Sequence, residues 1–225
     1  PYDSLYSNYD IVIWFTGNDC TTTLTEFDQQ KIATYLDSGG NLFISGQDIG
    51  FDIGSTSFYS DYLHAQYIKD DTNLYILDGV YGDPITSGMC INISGGDGAN
   101  NQYYPSEIKV INGATPIFTY DEGTEPMGYY SNVNTNKKFA QNSEKNNEND
   151  KIFGIALNGT AALRVDTGSY RLVYFAFGFE AINQPTLRNS LMYRVISWFN
   201  QSQFTGIIDD YGLDTDSDGL YDYLV

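Results

Sequence analysis

The stretch YDIVIWF, Tyr9 to Phe15, is an apolar run too short for a helix and rich in β-branched and aromatic residues. It reads as a buried strand of the kind a parallel sheet uses. Thr25 follows as a helix cap, with Asp28 at the third helical position. Phe27, Ile32, Tyr35 and Leu36 lie on one helical face, and Gly39-Gly40 supplies the stop. NLFIS, Asn41 to Ser45, is a second buried strand. Strand, helix and strand in that order spell the right-handed crossover unit of α/β proteins.

Outward from this unit, the sequence predicts another helix over Phe58 to Ile68, which would carry His64. From Asn73 to about Asp150 short apolar runs are broken by Gly, Asn, Asp and Pro, including GGDGANN (Gly95 to Asn101) and NSEKNNEND (Asn142 to Asp150). This is the pattern of short strands and exposed loops. KIFGIAL (Lys151 to Leu157) and RLVYFAFGFE (Arg171 to Glu180) read as strands. A last helix begins near Pro185, with Leu187, Leu191, Val195 and Trp198 at helical spacing. The expectation is one main α/β domain over residues 1–205, and an acidic segment over 206–225 leading into a following domain. No internal repeat is visible.

The chain has 225 residues, 41% of them hydrophobic, enough for one sizeable core. Its 11 Lys+Arg against 29 Asp+Glu give a formal charge of -18, which repels phosphate backbones and anionic lipid. Nucleic-acid and membrane-surface roles are argued against, and no apolar stretch is long enough for membrane insertion. The start, Pro1-Tyr2-Asp3-Ser4, has neither Met nor a signal-peptide pattern, and reads as a cut from a longer extracellular or cell-surface protein. Sequons at Asn92, Asn158 and Asn200 fit export, but such short motifs arise often by chance in an Asn-rich chain. Cys20 and Cys90 cannot form a four-ligand zinc site with the single histidine, His64. They are either a disulfide or two unrelated thiols.

In an open parallel sheet, ligands bind beyond the carboxyl ends of the strands. TGNDC (Thr16 to Cys20), SGQDIG (Ser45 to Gly50) and FGFE (Phe177 to Glu180) occupy those places. The second is a glycine-bracketed turn of the sort that presents a nucleophile. The order YDIVIWFTG, capped helix, GGNLFISGQDIG, VYFAFGFE, terminal helix resembles the class I glutamine amidotransferase-like superfamily over most of Tyr9 to Asn200. It is most similar to the domains of that superfamily appended to secreted prokaryotic proteins, often subtilisin-like peptidases, which carry GGNLFISGQD and GDG-NNQ stretches.

That resemblance implies a flavodoxin-like three-layer sandwich with a mostly parallel sheet and an irregular β-rich insertion. It also implies a crevice in which Asp48 stands where active members have the cysteine nucleophile. Phe179, or its neighbour Gly178, stands in the histidine position, and Glu180 matches the acid. The route needs a thiolate activated by a base, so no catalytic residues are expected among these relic positions. Members usually have a strand and helix ahead of the YDIVIW strand. Here eight residues precede it, which leaves three readings of that mid-sheet neighbour: lost, supplied by another chain, or absent because the fold is divergent.

DTDSDGLYD, Asp214 to Asp222, places Asp214, Asp216 and Asp218 at alternate positions with Gly219 directly after them. The glycine allows the sharp turn that lets those carboxylates converge on one calcium ion. Leu220 would offer its carbonyl and Asp222 a further oxygen or a bridging water. Val225 stands where an EF-hand has glutamate, so the loop more closely resembles thrombospondin type 3 or dockerin-like repeats, or a calcium linker whose remaining ligands come from elsewhere, with Asp209 and Asp210 as further contributors.

The leading functional expectation is a non-catalytic accessory domain of a secreted, calcium-binding multidomain hydrolase, of subtilisin-like peptidase kind. Its partners would be the other domains of the same polypeptide. Two alternatives stand beside it. One is a hydrolase using Asp48 and Glu180 as an acid–base pair. The other is a carbohydrate- or cell-surface-binding module using tyrosine-rich loops such as Tyr103-Tyr104 and Tyr129-Tyr130, drawn from the 20 tyrosines of the chain.

Overall fold

The structure is a computed structural model that describes residues 9–121 and 159–201. The expected strand at Lys151 to Leu157 and the calcium loop at Asp214 to Asp222 lie outside the described residues. So do Tyr129-Tyr130 and the boundary at residue 205.

The crossover unit forms as its sequence dictates. Strand β1 (Ile11–Phe15) pairs in parallel with β2 (Asn41–Ser45), Ile11 opposite Asn41 and Phe15 opposite Ser45. Helix α1 (Glu26–Asp37) runs between them. Its capping box is complete: the Asp28 N–H donates to Thr25 Oγ1 at 3.2 Å, and the Thr25 N–H donates to Asp28 Oδ2 at 3.0 Å. Ile32, Tyr35 and Leu36 are its buried face.

Helices α2 (Ile49–Ile53) and α3 (Ser57–Asp61) follow β2. The helix expected over Phe58 to Ile68 therefore ends early. His64 takes a left-handed φ of 52° and the chain turns into strand β3 (Ala65–Lys69). A helix cannot continue through that conformation. His64 is buried and held between the Asn112 carbonyl and the Tyr170 hydroxyl, and is not on a helix.

Then come β4 (Ile76–Gly79), β5 (Cys90–Asn92), β6 (Glu107–Val110), β7 (Thr115–Tyr120), β8 (Thr160–Asp166), β9 (Arg171–Phe175) and helix α4 (Pro185–Asn200). The sheet order is β1-β2-β9-β8-β7-β4-β5, and a β3–β6 ribbon joins through the Ile108–Thr160 bridge. Parallel pairing is confined to β1, β2 and β9. Every other pairing among the described strands is antiparallel, including β8 with β9 and β7 with β8.

The sheet is thus a mixed, strongly curled half-barrel, and the flavodoxin-like, mostly parallel sandwich is overturned. The physical cause is the β8–β9 connection, where Gly168 at φ 79° and the Thr167 N–H donating to the Tyr170 carbonyl close a short hairpin. A hairpin returns the strand antiparallel, where a helical crossover would have kept it parallel.

Both faces of β2 and β9 are covered, which explains why their sequences are continuous apolar runs. Phe43, Val173 and Phe175 face a core shared with Leu191, Val195, Trp198 and Phe199 of α4. Leu42, Ile44, Leu172 and Tyr174 face a second core shared with α1, α2 and α3. Arg171 fastens α4 to the sheet, its Nη1 donating to the Trp198 carbonyl at 2.7 Å while its guanidinium lies over the indole ring.

Candidate functional site

β2 and β9 are parallel neighbours, so the turns that follow them open at the same end of the sheet. The first turn is Gly46-Gln47-Asp48 entering α2. The second is Gly178 with the single 3-10 turn Phe179–Ala181. Ser45 staples the two together: its hydroxyl donates to the Phe177 carbonyl at 2.7 Å and accepts the Phe179 N–H at 2.8 Å. Glycine lets both turns approach their neighbours closely, although at Gly178 those neighbours are the ends of flexible side chains. A Cβ on Gly46 would lie 1.8 Å from Thr16 Oγ1, and one on Gly178 would lie 2.6 Å from Glu180 Oε1.

A third segment, Asn101 to Ser106, lies across both turns. Gln47 Oε1 accepts the N–H groups of Tyr103 and Tyr104, and its Nε2 donates to the Asn101 carbonyl at 3.2 Å. Gln102 Oε1 accepts the Gly178 N–H at 2.8 Å, and Ser106 Oγ donates to the Gln47 carbonyl. Asn101 Nδ2 donates to Glu180 Oε1 at 2.9 Å. Gln47 and Glu180 are therefore linked through Asn101. The sequence had pointed to the two stretches GGNLFISGQD and GDG-NNQ separately, and the fold brings their ends into one network.

Asp48 precedes α2 and its side chain makes no capping hydrogen bond. It is 3% exposed. Burial first, then the nearby Asp70 and Asp19 carboxylates, push its carboxyl up to about 6, against a smaller opposing pull from the Gln47 side chain. Glu180 holds one oxygen on Asn101, while the other, Oε2, is buried without a hydrogen-bond partner. Phe179 is buried, stacked on Phe15 at 5.6 Å and edge-on to Phe43 at 5.7 Å. Its ring belongs to the core beneath the turn.

Sequence reasoning missed Asp70 because it follows β3, which was read as helix. It also passed over Gln47, Asn101 and Gln102, whose amide side chains carry no chemical signal until their partners are known.

Cys20 and Cys90 are both free and both exposed, two unrelated thiols and not a disulfide. Cys20 follows β1 and Cys90 opens β5, at opposite ends of the sheet order. The Cys90 thiol is pushed up to about 11, by desolvation first and then by Asp78 and Asp121, which makes it a poor nucleophile. Among the described residues no group of His, Cys, Asp or Glu is arranged to hold a metal ion. Among the described residues no helix is long and apolar enough to cross a membrane.

No family model matches the chain, and no curated protein matches it. Solved structures do resemble it. A cold-adapted β-galactosidase from Rahnella sp. R3 superposes with a TM-score of 0.51 at 13% identity, over 85% of this chain and 23% of that one. Gan42B, a GH42 β-galactosidase from G. stearothermophilus, gives 0.49 at 11% identity, over 92% and 23%. A cytoplasmic protein of Salmonella typhimurium, STM3548, gives 0.47 at 10% identity, over 88% and 74%. The first likeness speaks to the fold, and this chain spans about a quarter of that β-galactosidase's length. The amidotransferase-like assignment, with its appendage to subtilisin-like peptidases, is not upheld: it implied a mostly parallel sandwich, and this sheet is mixed and strongly curled.

Proposed function

We propose that this chain is a non-catalytic accessory domain of a larger, exported hydrolase, docked on the other domains of its polypeptide. One observation carries the reading. The turns at the carboxyl ends of β2 and β9 are filled, with Phe179 packed between Phe15 and Phe43, Gln102 and Ser45 committed to backbone groups of the second turn, and Gln47 committed to the segment that lies across both. Polar groups used this way hold loops in place and leave few contacts for a substrate. The likeness to about a quarter of a β-galactosidase chain supports a fold of this kind working as one part of a larger enzyme. The peptidase kind of hydrolase rested on the amidotransferase resemblance and is not carried forward. Calcium belongs to the proposal through the spacing of Asp214, Asp216 and Asp218, with Leu220 and Asp222 completing the set.

A second reading has its own support. Asp48 near 6 and Glu180 with a buried, unpartnered oxygen are the kind of groups an acid–base hydrolase uses. The test is hydrolysis of glutamine, nitrophenyl glycosides and peptides by the purified chain across acidic to neutral pH. No turnover is expected. Turnover abolished in both Asp48→Asn and Glu180→Gln would move the assignment to the second reading. Tyr103 and Tyr104, 60% and 51% exposed beside these turns, support a carbohydrate-binding surface more weakly, and glycan binding lost on Tyr103→Ala would favour it.

A further inference from the structure

Residues 100–104 cross the carboxyl ends of β2 and β9 without one backbone-to-backbone hydrogen bond among the described residues. The chain on either side is tied down by its backbone. The Ala99 N–H donates to the Glu180 carbonyl, the Thr72 N–H to the Pro105 carbonyl, and the Ser106 N–H to the Ala176 carbonyl. Between these anchors only side chains hold the segment. Gln47 accepts the Tyr103 and Tyr104 N–H groups on Oε1 and donates from Nε2 to the Asn101 carbonyl. From the segment itself, Gln102 Oε1 accepts the Gly178 N–H and Asn101 Nδ2 donates to Glu180 Oε1. Apolar burial adds little, because the Tyr103 and Tyr104 side chains are exposed. A stretch with no ladder and few buried apolar contacts opens ahead of the rest of a fold.

The carboxylate beneath gives the closed state a cost. Glu180 Oε2 is buried and accepts no hydrogen bond among the described residues. The segment's amides lie close around it: a Cβ on Gly178 would be 2.6 Å from Glu180 Oε1 and 2.8 Å from Gln102 Nε2. A carboxylate oxygen buried without a donor loses its hydration and gains nothing in return. Lifting the segment returns water to it. The ends of the moving part are also defined, by Asn100 at a left-handed φ of 53°, which asparagine adopts more readily than most residues, and by the buried Pro105.

We propose that residues 100–104 form a strap that lifts as a unit, that Gln47 is its latch, and that lifting it uncovers the Glu180 carboxylate at the carboxyl end of the sheet. The filled crevice is the closed state of this device. The strap works in this way whether the crevice acts on a substrate or only packs against a neighbouring domain. Opening frees the N–H groups of Tyr103, Tyr104 and Gly178 in one step, since the Gly178 N–H is held by Gln102 of the strap. The Phe179 N–H beside it stays on Ser45 Oγ and is not released.

Native-state hydrogen exchange at low urea, followed residue by residue by NMR on the full 225-residue chain, tests this. The Tyr103, Tyr104 and Gly178 amides are expected to share one opening free energy, lower and less urea-dependent than that of the β2 and β9 amides, with Phe179 protected like the core. Carbodiimide coupling of a soluble amine to carboxylates, read by peptide mass spectrometry, reports the uncovering. Glu180 should label about tenfold faster in Gln47→Ala than in the unmodified chain, the effect of losing about one net hydrogen bond from the latch. The exposed Glu26 should label alike in both. Where Gln47→Ala does not fold, the exchange pattern of the unmodified chain decides. Tyr103 and Tyr104 amides that exchange only by global unfolding, a Gly178 amide that opens independently of them, or Glu180 labelling unchanged in a folded Gln47→Ala chain would each overturn the proposal.

Discussion

The Gln47 side-chain oxygen accepts the backbone N–H groups of both Tyr103, at 2.9 Å, and Tyr104, at 3.1 Å. One amide oxygen thus fixes a segment more than fifty residues away, while the Nε2 of the same side chain holds the Asn101 carbonyl. Gln47 is 2% exposed, so water cannot readily replace it. Gln47→Ala would leave the two N–H groups without their partner and open a small cavity, destabilising the fold by about 2–4 kcal/mol. Urea denaturation measures the loss, and hydrogen exchange at Tyr103 and Tyr104 should accelerate before the rest of the chain. Gln47→Glu keeps an acceptor but buries a carboxylate beside Asp48 and turns an oxygen towards the Asn101 carbonyl, so its loss of stability should grow as pH rises.

Gly46 supports a second prediction. Its missing side chain leaves room for Thr16, whose Oγ1 is itself buried without a partner. Gly46→Ala would force Cβ against that oxygen and should destabilise by about 1–3 kcal/mol. Thr16→Ala alone should cost little, because it removes an unsatisfied hydroxyl. Combined, the two changes should recover most of the loss, and a double-mutant cycle by urea denaturation measures the coupling. Strict additivity would show that the clash is relieved elsewhere.

These two positions also mark how far the sequence could be read. Local signals worked where the chain is locally determined. The capping box at Thr25 and Asp28, the buried runs at Asn41–Ser45 and Arg171–Phe175, and the helical spacing of Leu191, Val195 and Trp198 formed as expected; Ile11–Phe15 formed a strand too, but at the end of the described sheet order, with Ile13 and Phe15 exposed instead of buried. Strand direction was not local in that way. TAALRVD, Thr160 to Asp166, carries two alanines of weak strand preference near its start, yet it lies between β7 and β9 and makes the sheet mixed. The Asp166-Thr167-Gly168-Ser169 turn was the available signal for it. Gln47, Asn101, Gln102 and Asp70 were illegible for another reason: each gains its role from a contact that only the fold creates.

The aspartate loop is tested by calorimetric titration of calcium into the chain. Alternate carboxylates Asp214, Asp216 and Asp218 followed by Gly219 suit a small hard cation. Binding is expected, and Asp216→Ala with Asp218→Ala should abolish it, since each removes an anionic ligand. Calcium should also raise the melting temperature by mass action. Binding unaffected by the paired substitution would place the ion elsewhere.

The last prediction concerns pH. Asp48 has a folded-state carboxyl at about 6, above the ordinary aspartate value of 3.8 that the unfolded chain would show. Between those values the folded state holds the proton and the unfolded state has released it, so stability falls as pH rises through this window. Above the folded value the full penalty is present, because an ionised carboxylate is then buried near Asp70 and Asp19. With solvent screening allowed for, that penalty is about 1–2 kcal/mol. Asp48→Asn keeps the shape and removes the charge. It should therefore raise stability at neutral pH by that amount, do little in acid where Asp48 is already protonated, and flatten the pH dependence in between. Urea midpoints for both proteins across the acidic to neutral range are the measurement. Parallel curves would mean that Asp48 is ionised at ordinary pH and that another contact compensates its burial.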